Sequence, residues 1–356
     1  PEVSGFIDFG DLHYGPEIND LAICLAYALM GLQDPIEGAC HIIRGYASAR
    51  QLSEGELQVL LSLVKARLAI SIVVGYMRAR KDPGNVYWQV SLEPAQSLLK
   101  KLNSISEHFA LCMFRHAVGY EPDPSNERLK YWLRSNADSI HSIAGRDLST
   151  ETVAVFDWSV GSLEMGSFDD IADVPGSSAD CFDRMAVAGV EVGIGRYDEP
   201  RAVYTSNAFM IDGNNGPEMR TLHIGLDIFM QEGSPLYAPL DGQVVSLCDN
   251  EQVKGYGPLV ILKHEPDDDL TFYTLYGHLS PETLAHLEYG QEVPKGYLIG
   301  WIGDYPENGD WVPHVHFQMM TNLLGYKNDF PGVALYRQRD VWLSICPDPN
   351  LMLGVD

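Results

Sequence analysis

A change in the spacing of apolar residues near residue 150 most constrains how this 356-residue chain can fold. Upstream of it, apolar residues recur every three or four positions, as they do along one face of an α-helix. Downstream, they fall in short runs rich in Val, Ile, Tyr and Phe, separated by Gly, Pro, Asn and Asp. The two patterns predict a multidomain protein, with an all-α N-terminal part and a mainly β C-terminal part built as a sandwich or barrel.

Helices are predicted over residues 17–30, 53–80, about 92–118 and 125–143. The second is the best defined, because Ser53 and Glu56 form a capping box ahead of leucines at helical spacing. Its longest apolar run, Leu68–Met77, lies between two arginines and is shorter than the ~20 residues of a transmembrane helix. No membrane span is therefore expected.

Strands are predicted over residues 153–156, 202–211, 242–247, 259–264 and 270–276. The segment 169–183 is rich in Asp, Ser and Gly, a composition typical of loops, and is predicted to be a loop or linker. No internal repeat is visible in the sequence.

The overall charge and the cysteines limit the partners and the compartment. The chain has 24 basic and 49 acidic residues, for a formal net charge of −25. Nucleic acids and anionic membranes attract basic patches, so neither is expected as a partner. The six cysteines are scattered without a Cys-x-x-Cys pair, and no N-terminal signal peptide is visible. A disulfide framework is therefore not expected, and the pattern is typical of a protein of the reducing cytoplasm.

Two short histidine motifs in the second part have the spacing of metal ligands. His223 and Asp227 form His-x-x-x-Asp, and His314 and His316 form His-x-His. Even spacings in an extended chain place both side chains of a pair on one face. Two imidazoles and one carboxylate would match a catalytic zinc site, which uses three protein ligands and keeps a fourth position for water. Each motif alone is more often a pair of ordinary strand residues.

Six motifs occur in order between Thr221 and Met319, at residues 223–228, 232–244, 255–264, 276–279, 290–303 and 313–317. They include His-Ile-Gly-Leu-Asp-Ile, an Ala-Pro-Leu-Asp-Gly turn, Tyr-Gly-His-Leu and Pro-His-Val-His-Phe. This series resembles the lysostaphin/LytM family of zinc endopeptidases. The resemblance implies a metallopeptidase-like domain over residues 195–345.

The resemblance also implies a role for the polar residues of these motifs. His223, Asp227 and His316 would bind zinc, while His314 and His278 would flank the open coordination position. One of these two imidazoles would accept the proton of the activated water and pass it to the leaving amine. The other would hydrogen-bond the oxyanion.

Several features of the chain fall outside that family pattern. His264 and His286 match no catalytic position and are predicted to be structural or surface residues. No cell-wall-targeting domain is visible, and Asp304–Trp311 is a long acidic segment where the family usually has a short glycine-rich turn. That segment would narrow the groove or attract a cationic substrate. A peptide or small amide is the expected substrate, and metal binding is a firmer expectation than hydrolysis.

At the N-terminus, Phe-Ile-Asp-Phe-Gly-Asp at 6–11 is followed by Gly-Pro-Glu-Ile-Asn-Asp-Leu-Ala at 15–22. This pair of motifs resembles the aminoglycoside/choline phosphotransferase family. The resemblance implies that Asp8 holds Mg²⁺ against the phosphates of ATP, with Asp11 as a second candidate, and that Asp20 is structural. Residues 1–148 would be the helical C-terminal lobe of a kinase-like fold. Its nucleotide-binding lobe and catalytic loop would lie upstream, so this lobe is expected to be inactive by itself.

A kinase-like lobe joined to a lysostaphin-type domain resembles bacterial fusion proteins that continue into a class III PLP-dependent aminotransferase. The abrupt start at Pro1 and end at Asp356 then indicate a fragment, with residues 149–194 as a connection and 346–356 as the start of a further linker. Three hypotheses follow: a zinc hydrolase, a non-catalytic zinc-binding spacer, and a parent enzyme that acts on small amino alcohols or amines. PLP and any homo-oligomer would belong to that parent.

Overall fold

The computed structural model describes residues 5, 14–85, 90, 92–164 and 166–355, which divide into two compact units between Tyr120 and Glu121. Asp8 and Asp11, assigned to the phosphotransferase-like motif, lie outside the described residues. Asp20 lies in the first turn of the first helix, where the helix dipole favours a carboxylate. This position fits the structural role expected of it.

The first unit is helical, as expected. Its helices are α1 (Ile18–Ala28), α2 (Pro35–Ala49), α3 (Glu54–Lys81), α4 (Leu92–Asn103) and α5 (Glu107–Ala117). The single helix expected over 92–118 is two helices, because the Ser106 hydroxyl caps a new helix by accepting from the Phe109 N–H (3.4 Å). Helix α2 is an addition to the expected set, and Asp34 and Pro35 mark its start.

Helix α3 begins with the expected capping box. Ser53 Oγ accepts from the Glu56 N–H (3.4 Å), and Glu56 Oε2 accepts from the Ser53 N–H (2.9 Å). Its leucines are buried on one face, whereas Ile70 and Val73 are more than half exposed. By length and composition alone, α3 could cross a membrane, a test that a core helix of a soluble protein also passes. We expected no segment to be long enough to span a membrane, and on length this expectation is wrong. The apolar stretch of α3 continues past single polar residues, so it is longer than the uninterrupted apolar run Leu68–Met77.

The second unit is dominated by β-strands, as expected. The strands of its largest sheet are β1 (Ala154–Phe156), β2 (Gly193–Gly195), β7 (Leu226–Phe229), β9 (Gly242–Asn250), β10 (Gly257–Asp267), β11 (Leu270–Gly277), β12 (Glu292–Val293) and β14 (Val315–Met320). They lie in the order β1-β2-β7-β14-β11-β10-β9-β12. The first pair is parallel and the remaining neighbours are antiparallel. Strands β7, β14 and β11 are therefore direct neighbours near the middle of the sheet.

Smaller sheets and short helices complete this unit. The remaining strands are β3 (Glu199–Pro200), β4 (Met210–Gly213), β5 (Gly216–Met219), β6 (Leu222–His223), β8 (Pro235–Tyr237), β13 (Leu298–Trp301) and β15 (Val333–Ala334). Strand β6 pairs with β3 and β15, β4 with β5, and β8 with β13. The helices are α6 (Pro124–Ser135), α7 (Phe168–Ala172), α8 (Val174–Ala188), α9 (Glu282–His286), α10 (Arg339–Ile345) and α11 (Asn350–Leu353).

The segment expected to be a loop, residues 169–183, is helical instead and lies in α7 and α8. Its polar residues cap these helices. Ser167 and Asp170 form a capping box at α7, and the Asp173 carboxylate accepts from the Gly176 N–H (3.2 Å) at α8. Caps and linkers use the same residue types, so composition alone mispredicts this segment.

The segment expected to be a strand, residues 202–211, is largely irregular. It contains a 3-10 turn at Asn207–Phe209 and enters an extended conformation only at Met210. Val203 packs with Val333 in a small apolar cluster and does not pair in a sheet. Apolar content marks this segment as buried but cannot distinguish a buried loop from a strand.

The second unit extends beyond the expected peptidase-like domain of residues 195–345. Leu133 of α6 lies in the core of this unit, although residues 1–148 were assigned to the phosphotransferase-like lobe. Strands β1 and β2, within the expected connection 149–194, belong to the main sheet, and Leu353 of α11 enters the same core. The apolar side chains of the flanking segments are thus buried against the sheet.

Candidate metal centre

The pairing of three neighbouring strands brings the predicted site residues together. Asp227 of β7 pairs with His316 of β14, and Gly277 of β11 pairs with the same His316 from the other side. His278 follows directly on Gly277, and β6 ends at His223. Backbone register therefore places at one point side chains that are far apart in the sequence.

Three candidate ligand atoms form a small triangle. His223 Nε2 lies 3.0 Å from His316 Nδ1, and each nitrogen lies 3.2 Å from Asp227 Oδ1. All three residues are buried. Tetrahedral zinc with bonds of about 2.0–2.1 Å separates its ligand atoms by about 3.3 Å. The triangle therefore fits one face of a tetrahedral zinc site, and the donor set of two imidazoles and one carboxylate suits that ion.

Hydrogen bonds behind the two imidazoles fix which nitrogen faces the triangle. His223 Nδ1 donates to the Arg196 carbonyl oxygen (2.9 Å), which leaves Nε2 as the nitrogen with a lone pair. His316 Nε2 donates to Gln318 Oε1 (2.9 Å), which leaves Nδ1. Partners of this kind set the tautomer and orientation of metal-binding histidines. The three facing atoms are then all acceptors, an arrangement that a cation would stabilise.

A glycine between the first two ligands makes room for the third. A β-carbon at Gly225 would overlap the His316 ring. The middle residue of His-Ile-Gly-Leu-Asp is therefore limited to glycine by the close approach of β14, and any larger side chain would push the ring away from Asp227.

The two further histidines lie beside this triangle. His314 Nε2 is 3.6 Å from Asp227 Oδ1, and the rings of His314 and His278 are 4.5 Å apart. In both, Nδ1 donates to a backbone carbonyl oxygen, that of Val312 (2.6 Å) and that of Asn308 (2.8 Å). Each ring therefore keeps Nε2 as a proton acceptor. The structure thus brings His314 and His278 together beside the candidate ligand triangle.

Burial and charge together keep this cluster ready for a cation at neutral pH. Burial and the nearby Arg201 guanidinium together lower the pKa of His223 to about 4. Burial likewise lowers the pKa of His314 and of His278. For Asp227, burial alone would raise the pKa, but His223, Arg201 and His314 outweigh it and hold the pKa well below its usual range. The imidazoles of His223, His314 and His278 are therefore neutral, and the Asp227 carboxylate is ionised.

Arg201 and Glu199 adjoin the candidate ligands and were missed by the sequence analysis. Arg201 Nη1 donates to Asp227 Oδ2 (2.6 Å), and its Nε donates to Glu199 Oε2 (2.8 Å). Both side chains are almost fully buried, at 2% and 4% exposure. The available signal was Glu-x-Arg, a spacing that puts both charges on one face of an extended chain, but it lies outside every histidine motif.

An aromatic cavity opens at the candidate metal centre. Its aromatic lining residues are Trp158, Tyr204, Phe209, Tyr256, Trp311, Tyr326 and Phe330. Trp311 comes from the acidic segment Asp304–Trp311, and Lys254 lies 4.5 Å above its ring and 3.5 Å from the Asp310 carboxylate. That segment thus contributes an apolar wall, and one of its acidic side chains is paired with a lysine.

The two histidines without a catalytic assignment lie apart from this cavity. His264 is fully buried, with Nδ1 2.9 Å from the Asp241 carbonyl oxygen and Nε2 2.8 Å from Thr274 Oγ1. His286 Nε2 donates to the Leu298 carbonyl oxygen (2.9 Å). Both residues have structural hydrogen bonds, in agreement with their expected role.

Comparison with known proteins gives partial matches to two kinds of protein. The profile of peptidase family M23 matches residues 221–327. Glycyl-glycine endopeptidase ALE-1 of Staphylococcus capitis is 34% identical over 100 residues, 28% of this chain and 25% of that protein. Hydroxylysine kinase of Mus musculus is 34% identical over 84 residues, 24% of this chain and 22% of that protein. The chain thus spans about a quarter or less of the length of these relatives.

Among solved structures, the catalytic domain of lysostaphin from Staphylococcus simulans aligns with a TM-score of 0.26 at 24% identity, over 41% of this chain and 90% of that domain. The helical N-terminal region matches hydroxylysine kinase only in part. Residues 221–327 of this chain form a domain of peptidase family M23, of the lysostaphin-like type.

Proposed function

We propose that the second unit is a zinc-dependent hydrolase that cleaves a peptide or amide bond, with His223, Asp227 and His316 as the zinc ligands. The observation that supports this most is the convergence of three lone-pair atoms at 3.0–3.2 Å, each ring turned by a hydrogen bond from its far side. Such atoms repel one another unless a cation lies between them. M23 peptidases are zinc-dependent, which agrees with this donor set.

The two remaining histidines would handle the protons. A bound zinc ion would act as a Lewis acid that activates water for attack on a carbonyl carbon. His314 and His278 each present an unprotonated Nε2 beside the ligand triangle, and we assign the proton of the attacking water to His314, whose Nε2 lies 3.6 Å from Asp227 Oδ1. The ring that accepts it becomes a donor through the same nitrogen. It can then hydrogen-bond the developing oxyanion and pass the proton to the leaving amine.

The test combines metal content with hydrolysis of glycine-rich peptides by the full chain. One zinc per chain and measurable cleavage are expected. His314→Ala is expected to retain zinc and to lose about 100- to 10,000-fold in kcat/KM. His286→Gln, outside the cavity, serves as the matched control and is expected to keep wild-type activity. A zinc-loaded protein that cleaves equally well without the His314 imidazole would refute the proposed mechanism.

A second candidate is a non-catalytic zinc-binding spacer in a larger enzyme that acts on small amino alcohols or amines. The partial match to hydroxylysine kinase in a chain with an M23 domain favours it. Asp8 with Mg²⁺ and ATP, PLP, the cytoplasmic location and any homo-oligomer are proposals that belong to that parent. This candidate predicts bound zinc without turnover of any peptide, and little effect of His278→Ala on the activities of the parent.

A further inference from the structure

One buried guanidinium contacts a candidate zinc ligand from behind. Arg201 Nη1 donates to Asp227 Oδ2 (2.6 Å), while Asp227 Oδ1 is the oxygen that faces the two imidazole nitrogens. The two carboxylate oxygens therefore have different environments. One faces the triangle, and the other is held by the arginine in a charge-assisted hydrogen bond.

The same guanidinium is linked to a second ligand. Arg201 Nη2 donates to the Arg196 carbonyl oxygen (3.1 Å), and that oxygen also accepts from His223 Nδ1 (2.9 Å). One planar group thus supports Asp227 directly and His223 through a shared carbonyl. Gly195 permits this approach, because a β-carbon there would lie 3.0 Å from Arg201 Nη2 and 3.1 Å from Asp227 Oδ2.

The arginine itself is held in one orientation. Its Nε donates to Glu199 Oε2 (2.8 Å), and its guanidinium carbon lies 5.2 Å from the centre of the Trp158 ring. Glu199 Oε1 accepts in turn from the Trp158 N–H (3.2 Å) and from Arg196 Nε (2.9 Å). A buried ion pair is tolerated when its remaining donors and acceptors are satisfied in this way. A lysine could not reproduce the several directed donors.

We propose that Arg201 is a positioning residue that restricts Asp227 to one oxygen on the metal and so keeps a coordination position open for reactants. This inference rests on the proposed zinc function. A carboxylate with both oxygens free can bind a metal through either one or both. Zinc with two imidazoles and a two-oxygen carboxylate would have four protein donor atoms, the count of a closed site, whereas a catalytic site has three.

The test uses the full chain loaded with Zn²⁺ or Co²⁺ and measures the metal site itself. The double variant Glu199→Gln/Arg201→Met removes both buried charges, and Arg201→Lys keeps the positive charge but loses the directed donors to Asp227 and to the Arg196 carbonyl oxygen. Both are expected to weaken Zn²⁺ binding about 10- to 100-fold in competition with a chromophoric chelator. Both should also change the visible absorption of the Co²⁺ form, which reports coordination number. The control is Arg146→Met, which removes an arginine that is ion-paired with Glu151 and Glu191 outside the site. It should leave both the zinc affinity and the Co²⁺ spectrum at wild-type values.

Wild-type zinc affinity and a wild-type Co²⁺ spectrum in either folded variant would overturn the proposal. If the double variant fails to fold, Arg201→Lys decides the question by the same two measurements. Neither measurement depends on hydrolysis. A protein that binds zinc but cleaves no peptide therefore contradicts the proposed hydrolase while the role of Arg201 is still decided by affinity and spectrum.

Discussion

Two buried histidine clusters of the second unit have similar electrostatics but different hydrogen bonding. Burial lowers the pKa of His223 at the metal centre and of His264 inside the sheet to about 4. Both nitrogens of His264 have partners within the protein, the Asp241 carbonyl oxygen and the Thr274 hydroxyl. At the metal centre, one nitrogen of each ligand histidine faces only other acceptors. Burial and a lowered pKa therefore do not distinguish a metal-binding histidine from a structural one. The distinguishing feature is a ring nitrogen that faces other acceptor atoms and has no hydrogen-bond donor among them.

The largest expected effect separates the two clusters by metal binding. His316→Ala removes one of the three candidate ligands and is expected to weaken zinc binding by about 1,000-fold, or about 4 kcal/mol. His264→Gln is expected to leave zinc affinity within about twofold, because its ring lies outside the cavity. Titration against a chelator of known affinity measures both. Equal losses of zinc affinity in the two variants would show that the metal centre and the His264 site do not differ in metal binding.

The pH dependence of stability tests the structural cluster in the metal-free protein. The folded pKa of His264 is about 4 and its ordinary value is 6.5, so only the unfolded chain gains a proton there between these values. Its contribution to the free energy of unfolding is present above pH 6.5 and is lost as pH falls to 4, by about 3 kcal/mol. Urea unfolding followed by tryptophan fluorescence is expected to show a shallower loss in His264→Gln. An unchanged slope would contradict the buried, neutral state of this ring.

Zinc addition tests the metal centre by the same measurement. Free zinc at 100 times its Kd is expected to raise the free energy of unfolding of the second unit by about 2.7 kcal/mol, since the ion binds only the folded ligand set. His316→Ala is expected to gain almost nothing at that zinc concentration. Stabilisation of that variant by the wild-type amount would place the ion elsewhere.

The smallest effect concerns the hydroxyl that satisfies the structural histidine. Thr274→Val keeps the side-chain shape but removes the donor to His264 Nε2, and is expected to cost about 1–3 kcal/mol in the free energy of unfolding, near the lower end if water replaces the donor. Zinc affinity should not change. Thr271→Val, on the same strand with an exposed partner, provides the control.

Local signals predicted the elements whose stabilising interactions are close in sequence. The capping box of Ser53 and Glu56 begins α3 as expected, because both partners lie within one turn. The segment 169–183 was mispredicted, since Asp and Ser serve equally as caps and in loops. Residues 202–211 were mispredicted as a strand, because pairing depends on a neighbour that the local sequence does not specify.

For the site, the sequence by itself identified His223, Asp227 and His316 as candidate ligands, since these lie in short motifs with recognisable spacing. Only the tertiary structure decided that Arg201 and Glu199 support them. Their contacts come from strand pairing and loop packing between segments whose separation carries no periodic signal. Motif spacing indicates which side chains share one face of a single strand or helix. The residues that hydrogen-bond a metal ligand from its far side come from distant segments, so they depend on how those segments pack.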